Sequence, residues 1–372
     1  MKLVYLANTG IPSRAANSIH IMKMCQALAA NGHAVTLVIP TRRDTERGVR
    51  DVYGFYGVAP LFRVVRVPLL PIGGPGYVYG LLAALIAKAR RPDLAYGRDL
   101  KACALAGRLG LPVMIEFHRP LSTFPRWEQA LVLRLAATPA CRRLVVNTDA
   151  LRRTTLAQYP VFQDRILAAQ NGADPVPAGV VPAELPNRGG RLQVGYVGQL
   201  YPAKGMDLIA TLVPLCPWAD FHVVGGMERE QQHWRERLGA LPNLTFHGFL
   251  PPGELHPLRQ AFDMVLAPYA REKRQPDGVL KPVEHVSPVK VFEYMAAGKA
   301  MICSDLPVFH EVVEPEVTAL LCDPDQPAAW ATALARLRDQ PELRQRLGSA
   351  AKARFLKEFT WQARAAKVVA GL

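Results

Sequence analysis

Residues 192–224, LQVGYVGQLYPAKGMDLIATLVPLCPWADFHVV, decide the fold. The run 192–197 is apolar and of strand length. The stretch 198–205 is a loop with two glycines and a proline, 206–215 has helical length and apolar spacing, and 220–224 is a second strand. Strand, loop, helix and strand within one short segment make a βαβ unit, whose two strands lie parallel. The chain opens in the same way. A strand at 3–7 leads through a polar loop at 8–18 into an apolar-periodic helix from 19 to about 31. Gly32-His33 closes that helix, and the next strand follows at 34–39. Two similar beginnings predict two similar α/β domains.

Further strand-length apolar runs fall at 64–67, 94–96, 113–117, 143–147 and 166–169, and then at 244–246, 264–267, 300–303 and 319–321. Amphipathic stretches separate them. Strands that are apolar along their whole length need cover on both faces, which helices between parallel strands provide. The join is expected within 174–191, where DPVPAGVVPAELPNRGG carries four prolines and three glycines without periodicity. The domains are accordingly read as 1–180 and 181–355, with a C-terminal helix at about 356–372 expected to pack back on the first domain.

With 372 residues, half of them hydrophobic and 20% charged, the chain has material for two cores and is neither disordered nor fibrous. Its net charge of +14 is unevenly spread. Residues 1–180 hold 23 Lys+Arg against 10 Asp+Glu, and residues 181–372 hold 22 against 21, so the halves carry +13 and +1. The first half is thereby suited to an anionic partner: a phosphorylated substrate, nucleic acid or an acidic membrane surface. Nucleic acid is disfavoured, because the basic residues are dispersed and not interleaved with aromatics, and no RRM, KH or zinc-finger pattern occurs. The six cysteines, at 25, 103, 141, 216, 303 and 322, show no CxxC spacing. That indicates neither a structural zinc site nor a disulfide framework and suits reduced thiols in a cytoplasmic protein. The opening residues do not read as a signal peptide, and the longest apolar run, 77–87, ends in Lys88, Arg90 and Arg91, too short to span a bilayer.

In an open parallel sheet, ligands bind beyond the carboxyl ends of the strands. In the loop 198–205, Gly198 permits close backbone approach and Lys204 sits just before a helix N-terminus that already favours anions. This is the composition of a diphosphate cradle; the alternative is a solvated loop lysine. The segment SPVKVFEYMAAGK at 287–299 is more specific. Ser287 and Pro288 read as N-cap and first-turn proline of a helix ending at Gly298. Glu293 falls on its second turn, where a carboxylate can accept hydrogen bonds from paired sugar hydroxyls. Lys290, one turn away, either joins that site or forms an (i, i+3) ion pair with Glu293.

In order and spacing, 197–205, 287–299 and 304–307 resemble the donor domain of retaining GT-B glycosyltransferases, the large glycosyltransferase family 4. The resemblance runs over nearly the whole chain through GHAV (32–35), EFH (116–118), VVNT (145–148) and NGAD (171–174). It implies an α/β GT-B fold, two Rossmann-like doubly wound parallel-sheet domains facing a central cleft. It further implies donor binding by Gly198, Gln199, Lys204, Ser287, Pro288, Val289, Lys290 and Glu293. Lys204 would hold the diphosphate and Glu293 the ribose hydroxyls. His118 would face the cleft near sugar and acceptor, and a loop with Gly10, Ser13, Arg14 and Asn17 would close over phosphates or acceptor, Arg14 being the anion partner.

Two positions depart from the family. Gln199 stands where a basic residue is common, leaving Lys290 or Arg14 as replacement. Paired glutamates of the family lie eight positions apart, and counting back from Glu293 reaches His285, with Glu284 one place further. Either Glu284 serves after a one-residue shift, or His285 and backbone amides near Ser287 do. His118, Lys204 and Glu284 are thus the expected catalytic set.

The implied activity is retaining transfer of a sugar from a nucleoside diphosphate sugar to a glycan or lipid-linked acceptor, in cell-envelope polysaccharide or glycolipid synthesis. Cations and helix amides would stabilise the departing diphosphate, which takes the acceptor's proton. No carboxylate pair of metal-binding spacing accompanies the phosphate residues, so metal-independent turnover without a cofactor is expected. The alternatives are a sugar-nucleotide 2-epimerase on a similar fold and a catalytically silent GT-B-like interaction subunit. The segment 42–91 sets Arg42, Arg43, Arg47, Arg50, Arg63, Arg66, Lys88, Arg90 and Arg91 beside apolar residues expected to be exposed, Phe55, Tyr56, Leu69, Leu70 and Ile72. It reads either as a solvated face or as a surface for peripheral docking on the cytoplasmic face of an anionic inner membrane, each charge being worth about 1 kcal/mol there.

Overall fold

The structure is a computed structural model of the chain and describes residues 1–42, 45–68, 76–186, 190–200, 204–274, 280–282 and 284–372. Leu69, Leu70, Ile72 and Arg43 of the basic segment lie outside the described residues. The chain divides into two units, Met1–Asn171 with Trp361–Leu372, and Gly172–Thr360.

The first unit is built on β1 (Lys2–Leu6), β2 (Ala34–Thr41), β3 (Arg63–Pro68), β4 (Leu94–Gly97), β5 (Val113–Phe117), β6 (Cys141–Val146) and β7 (Ile166–Ala168). They form one parallel sheet in the order β3-β2-β1-β4-β5-β6-β7. Alternate residues feed two cores. Val4, Leu6, Ala95 and Ile115 face one layer of helices, while Leu3, Tyr5, Tyr96 and Met114 face the other. Each large side chain fully buried this way contributes about 1.5–3 kcal/mol, and this two-sided burial is why the strands are continuous apolar runs.

The second unit repeats the plan with β8 (Leu192–Val197), β9 (Ala219–Val224), β10 (Leu244–Gly248) and β11 (Met264–Ala267). A small hairpin of β12 (Glu272–Arg274) and β13 (Leu280–Pro282) follows, then β14 (Ala300–Ser304) and β15 (Leu320–Cys322). Its parallel sheet runs β10-β9-β8-β11-β14-β15, and β12 pairs with β13 antiparallel. In both sheets the order reverses beside the first strand, so β1/β4 and β8/β11 are the switch points where connecting loops part and leave room for a ligand.

Every strand expected from the sequence is present, displaced by at most a few residues. The hairpin was not expected, because EKR and LKP lack apolar alternation. The return to the first unit begins later than residue 356. Helix Pro341–Glu358 stays with the second unit, where Phe355 packs in the core with Phe292 and Phe359. Only the helix Trp361–Val369 joins the first unit, through Trp361, Ala365 and Val368 packed with Ile21 and Leu28. The earlier crossing falls at Gly172, ahead of residue 180, because Ala173 lies in the second core and its N–H bonds the Phe359 carbonyl at 3.0 Å. With these bounds the first unit holds 25 Lys+Arg against 9 Asp+Glu and the second 20 against 22, giving +16 and −2.

Candidate functional site

In the second unit, the loops after β8 and β11 and the helix Val289–Ala297 gather the residues expected to bind the donor. Gly198 is tied to the Val224 carbonyl at 2.9 Å, and the Tyr196 hydroxyl donates to the Gln199 carbonyl at 2.6 Å. The Gln199 side chain is exposed. Lys204 precedes Gly205, which takes φ +88° at the start of helix Met206–Leu215, with its Cα packed so closely on Pro268 that a Cβ would clash. Beyond β11, Tyr269 is clamped by Ser304, whose hydroxyl accepts from the Tyr269 N–H at 2.7 Å and donates to its carbonyl at 2.8 Å.

The Tyr269 ring is shared by two lysines. Lys204 Nζ lies 4.4 Å from its centroid and Lys290 Nζ 5.0 Å, the latter also 3.9 Å from the Tyr196 centroid. Lys290 is 7% exposed, and its Nζ has no hydrogen-bond acceptor among the described residues. Burial and the charge of Lys204 push its pKa well below the usual lysine value, and Glu293 offsets this only in part. A Cβ on residue 198 would come within 3.1 Å of Lys290 Nζ, so the glycine leaves the ammonium its place. Two convergent lysine Nζ atoms on an aromatic platform, one of them just before a helix N-terminus, are an arrangement that can receive a multiply charged anion.

Ser287 does not cap that helix. The helix starts at Val289, so Ser287 lies outside its first turn and its carbonyl accepts from the Val289 N–H at 3.0 Å. The Ser287 hydroxyl is buried without a partner among the described residues, and Pro288 is buried beside it, while Val289 is exposed. The (i, i+3) pair of Lys290 with Glu293 is replaced by a longer-range one. Glu293 is 2.7 Å from Nη2 of Arg259, a buried residue on helix Leu255–Ala261. Sequence spacing offered no signal for Arg259. Glu284 is exposed; His285 is half-buried, and that burial lowers its pKa against the pull of Glu284 and Glu311.

In the first unit, His118 follows β5 and shares a strand face with Glu116, since residues two apart point the same way. Glu116 is fully buried and unusually well held. Its Oε1 is 2.5 Å from His118 Nε2, 2.8 Å from Arg364 Nη2 and 3.0 Å from His20 Nε2, and its Oε2 accepts from the Tyr96 hydroxyl. Burial would raise the carboxyl pKa, but the Arg364 guanidinium, the hydrogen bond from His118 and the contact with His20 outweigh it and hold the group well below the usual range. Both histidines are kept neutral, His20 lowered to about 4 and His118 to about 3, by burial above all, with the nearby arginines adding to it and Glu116 opposing it. The donor atoms of His20, Glu116 and His118 lie within 4.8 Å of one another, as a metal triad would. Arg364 on the shared oxygen already supplies the compensating positive charge, so the carboxylate is satisfied without a cation.

The loop after β1 is anchored rather than open. Ser13 gives its N–H to the Tyr56 hydroxyl at 2.6 Å and its hydroxyl contacts Ser18 at 2.9 Å, while Gly10 is half-buried nearby. Tyr56, read as exposed from the sequence, is therefore buried, and Phe55 is half-buried. Arg14 is exposed and pairs with Glu46 at 3.2 Å. Asn17 is not in the loop: helix Ala16–Ala30 begins before it, and its Oδ1 is buried without a partner among the described residues. Among the exposed apolar residues of this unit, Tyr77, Leu81 and Leu85 fall along one stripe of helix Tyr77–Ala89, while Leu61, Trp127 and Val161 lie apart from it.

Residues 18–176 match the model of glycosyltransferase family 4, and residues 181–354 that of glycosyl transferases group 1. The chain is 24% identical to a D-inositol 3-phosphate glycosyltransferase of Corynebacterium glutamicum, over 94% of this chain and 90% of the relative. It is 25% identical to the 2-deoxystreptamine glucosyltransferase of Streptomyces kanamyceticus, over 87% and 89%. Among solved structures it matches Anabaena HepE in complex with UDP, with a TM-score of 0.71 at 18% identity covering 99% and 98% of the two chains. WaaG, a glycosyltransferase involved in lipopolysaccharide biosynthesis, matches with 0.65 at 14% identity over 99% and 100%. Those structures share the GT-B fold. With one model on each half and the two spanning nearly all of both units, the chain belongs to glycosyltransferase family 4 and is a glycosyltransferase of GT-B type.

Proposed function

We propose that the protein is a retaining hexosyltransferase that uses a nucleoside diphosphate sugar and delivers the sugar to a glycan or lipid-linked acceptor of the cell envelope. The observation that carries this reading is the convergence of Lys204 and Lys290 on the Tyr269 ring, with Glu293, on the same helix as Lys290, held by Arg259. Lysines suit the diphosphate and the oriented carboxylate suits ribose. Support for the donor class comes from solved structures of HepE with UDP and with UDP-glucose. In the reaction, the bond from the anomeric carbon to the diphosphate oxygen breaks. The acceptor oxygen bonds to the same face, and its proton passes to the departing phosphate oxygen. The lysines stabilise the charge that develops there, which supports turnover without a metal or other cofactor.

Among the described residues no helix is long and apolar enough to cross a membrane. Peripheral docking on the cytoplasmic face is supported by the +16 unit and by Tyr77, Leu81 and Leu85, which continue into exposed Lys88 on one helical stripe. The test is a panel of nucleoside diphosphate sugars assayed for slow hydrolysis without acceptor, with and without chelator, followed by NMR of the anomeric configuration once an acceptor is found. Binding of no nucleoside diphosphate by calorimetry refutes the assignment. Loss of turnover in chelator, restored by a divalent ion, refutes the metal-independent mechanism.

A further inference from the structure

The buried carboxylate of Glu116 does more than fill a core. Its Oε1 receives Arg364 Nη2 at 2.8 Å and His118 Nε2 at 2.5 Å, and its Oε2 receives the Tyr96 hydroxyl. Arg364 is itself fixed, donating Nε to the Gln170 carbonyl at 3.0 Å and lying against Met24 Sδ at 3.1 Å. An ionised carboxylate has no proton to give, so the hydrogen in the His118 contact sits on Nε2. The side chain of His118 is 16% exposed, and among the described residues no hydrogen bond reaches Nδ1.

From this geometry we infer that Glu116 and Arg364 are positioning residues which hold His118 in the Nε2–H tautomer, so that it offers an unprotonated Nδ1 as hydrogen-bond acceptor to a hydroxyl of the substrate. This rests on the reading of His118 as facing the sugar and acceptor. Charge balance supports it. The cluster contains one carboxylate and one buried guanidinium, Arg98 adds positive potential, Tyr5 and Tyr96 are uncharged, and burial keeps both His118 and the adjacent His20 neutral. A protonated His118 would leave an unbalanced buried charge. His118 is then neither a cation for phosphate nor a general acid. The helix Trp361–Val369 acquires a role as well: by carrying Arg364, 248 residues from Glu116 in sequence, it ties the end of the chain to the orientation of one imidazole.

The decisive measurement is long-range proton–nitrogen NMR of the His118 ring, assigned by its loss in His118→Asn. The expected result is a protonated Nε2 and a pyridine-like Nδ1, unchanged from about pH 6 to about pH 8. An Nδ1–H tautomer or an imidazolium in the wild-type protein overturns the inference without any variant. Glu116→Gln, whose amide can donate to Nε2, is expected to shift the ring toward the Nδ1–H form. It should lower kcat at least about tenfold, while the Kd for UDP, or for whichever nucleoside diphosphate the panel selects, changes less than about threefold. A folded Gln variant with the wild-type tautomer and kcat also overturns it. Should that variant not fold, the wild-type spectrum decides alone. Failure of the donor panel, with the tautomer as stated, counts against the proposed activity and not against the tautomer assignment.

Discussion

Binding of a nucleoside diphosphate should draw a proton onto Lys290. In the free protein this lysine is 7% exposed, over Tyr196 and beside Tyr269, and burial together with Lys204 depresses its pKa well below the ordinary value. A diphosphate arriving between the two lysines reverses the balance, because the charged form of Lys290 then gains a partner. The pKa rises on binding, so within the window between free and bound values the complex holds more protons than its parts. Affinity must therefore weaken as pH rises through that window. The slope approaches a factor of ten in Kd per pH unit, about 1.4 kcal/mol for each unit of pKa the ligand restores. Above about pH 7 the nucleotide's own phosphate ionisation is complete and adds little. Calorimetry in buffers of different ionisation enthalpy, from about pH 7 to about pH 9.5, reads the uptake directly, and it should approach one proton in the window. Lys290→Met should abolish the uptake and weaken binding by about 1.5–3 kcal/mol, the value of a hydrogen bond to a charged group. If wild-type protein binds without proton uptake across this range, Lys290 is charged before the ligand arrives and burial does not neutralise it.

Arg259→Met removes the partner that orients Glu293, so an approximately tenfold preference for UDP over its 2′-deoxy form should fall toward one; calorimetry with both nucleotides checks this, and retained discrimination would free Glu293 from Arg259. Because His20 and His118 titrate at about 4 and about 3 in the folded protein, the unfolded chain binds more protons below its histidine pKa of about 6.5. Stability of the first unit should hold above that pH and decline on acidification toward 4, by up to about 1.4 kcal/mol per pH unit per histidine, as measured by hydrogen exchange of the β4 and β5 amides. Leu81→Glu with Leu85→Glu should reduce co-sedimentation with anionic vesicles by at least about tenfold while leaving UDP affinity unchanged, the altered side chains lying on the exposed stripe of helix Tyr77–Ala89.

Much of the molecule was legible in one dimension. A parallel strand buried on both faces is a continuous apolar run, and a βαβ unit completes itself within a few dozen residues. Both sheets, the two restarts at β1 and β8, and the helix that carries Lys290 and Glu293 could therefore be placed from local pattern alone. Ser287 was misplaced as an N-cap because helix onset shifts by a residue or two under tertiary packing, and Tyr56 was misjudged because its hydroxyl binds a loop 43 residues away.

Side-chain partnership was decided only in three dimensions. Lys290 and Glu293, neighbours on one helix, found different partners: two tyrosines from the ends of β8 and β11, and an arginine from the helix Leu255–Ala261. The sequence singled out His118 in the EFH motif but gave Glu116 no role, and nothing local announced that Arg364 would return from the far end of the chain to share its carboxylate oxygen. Periodicity fixes which face of an element is buried, since that depends on residues two to four positions apart. Which charges meet inside depends on sheet order and on where the chain crosses between units, and these are properties of the packed whole.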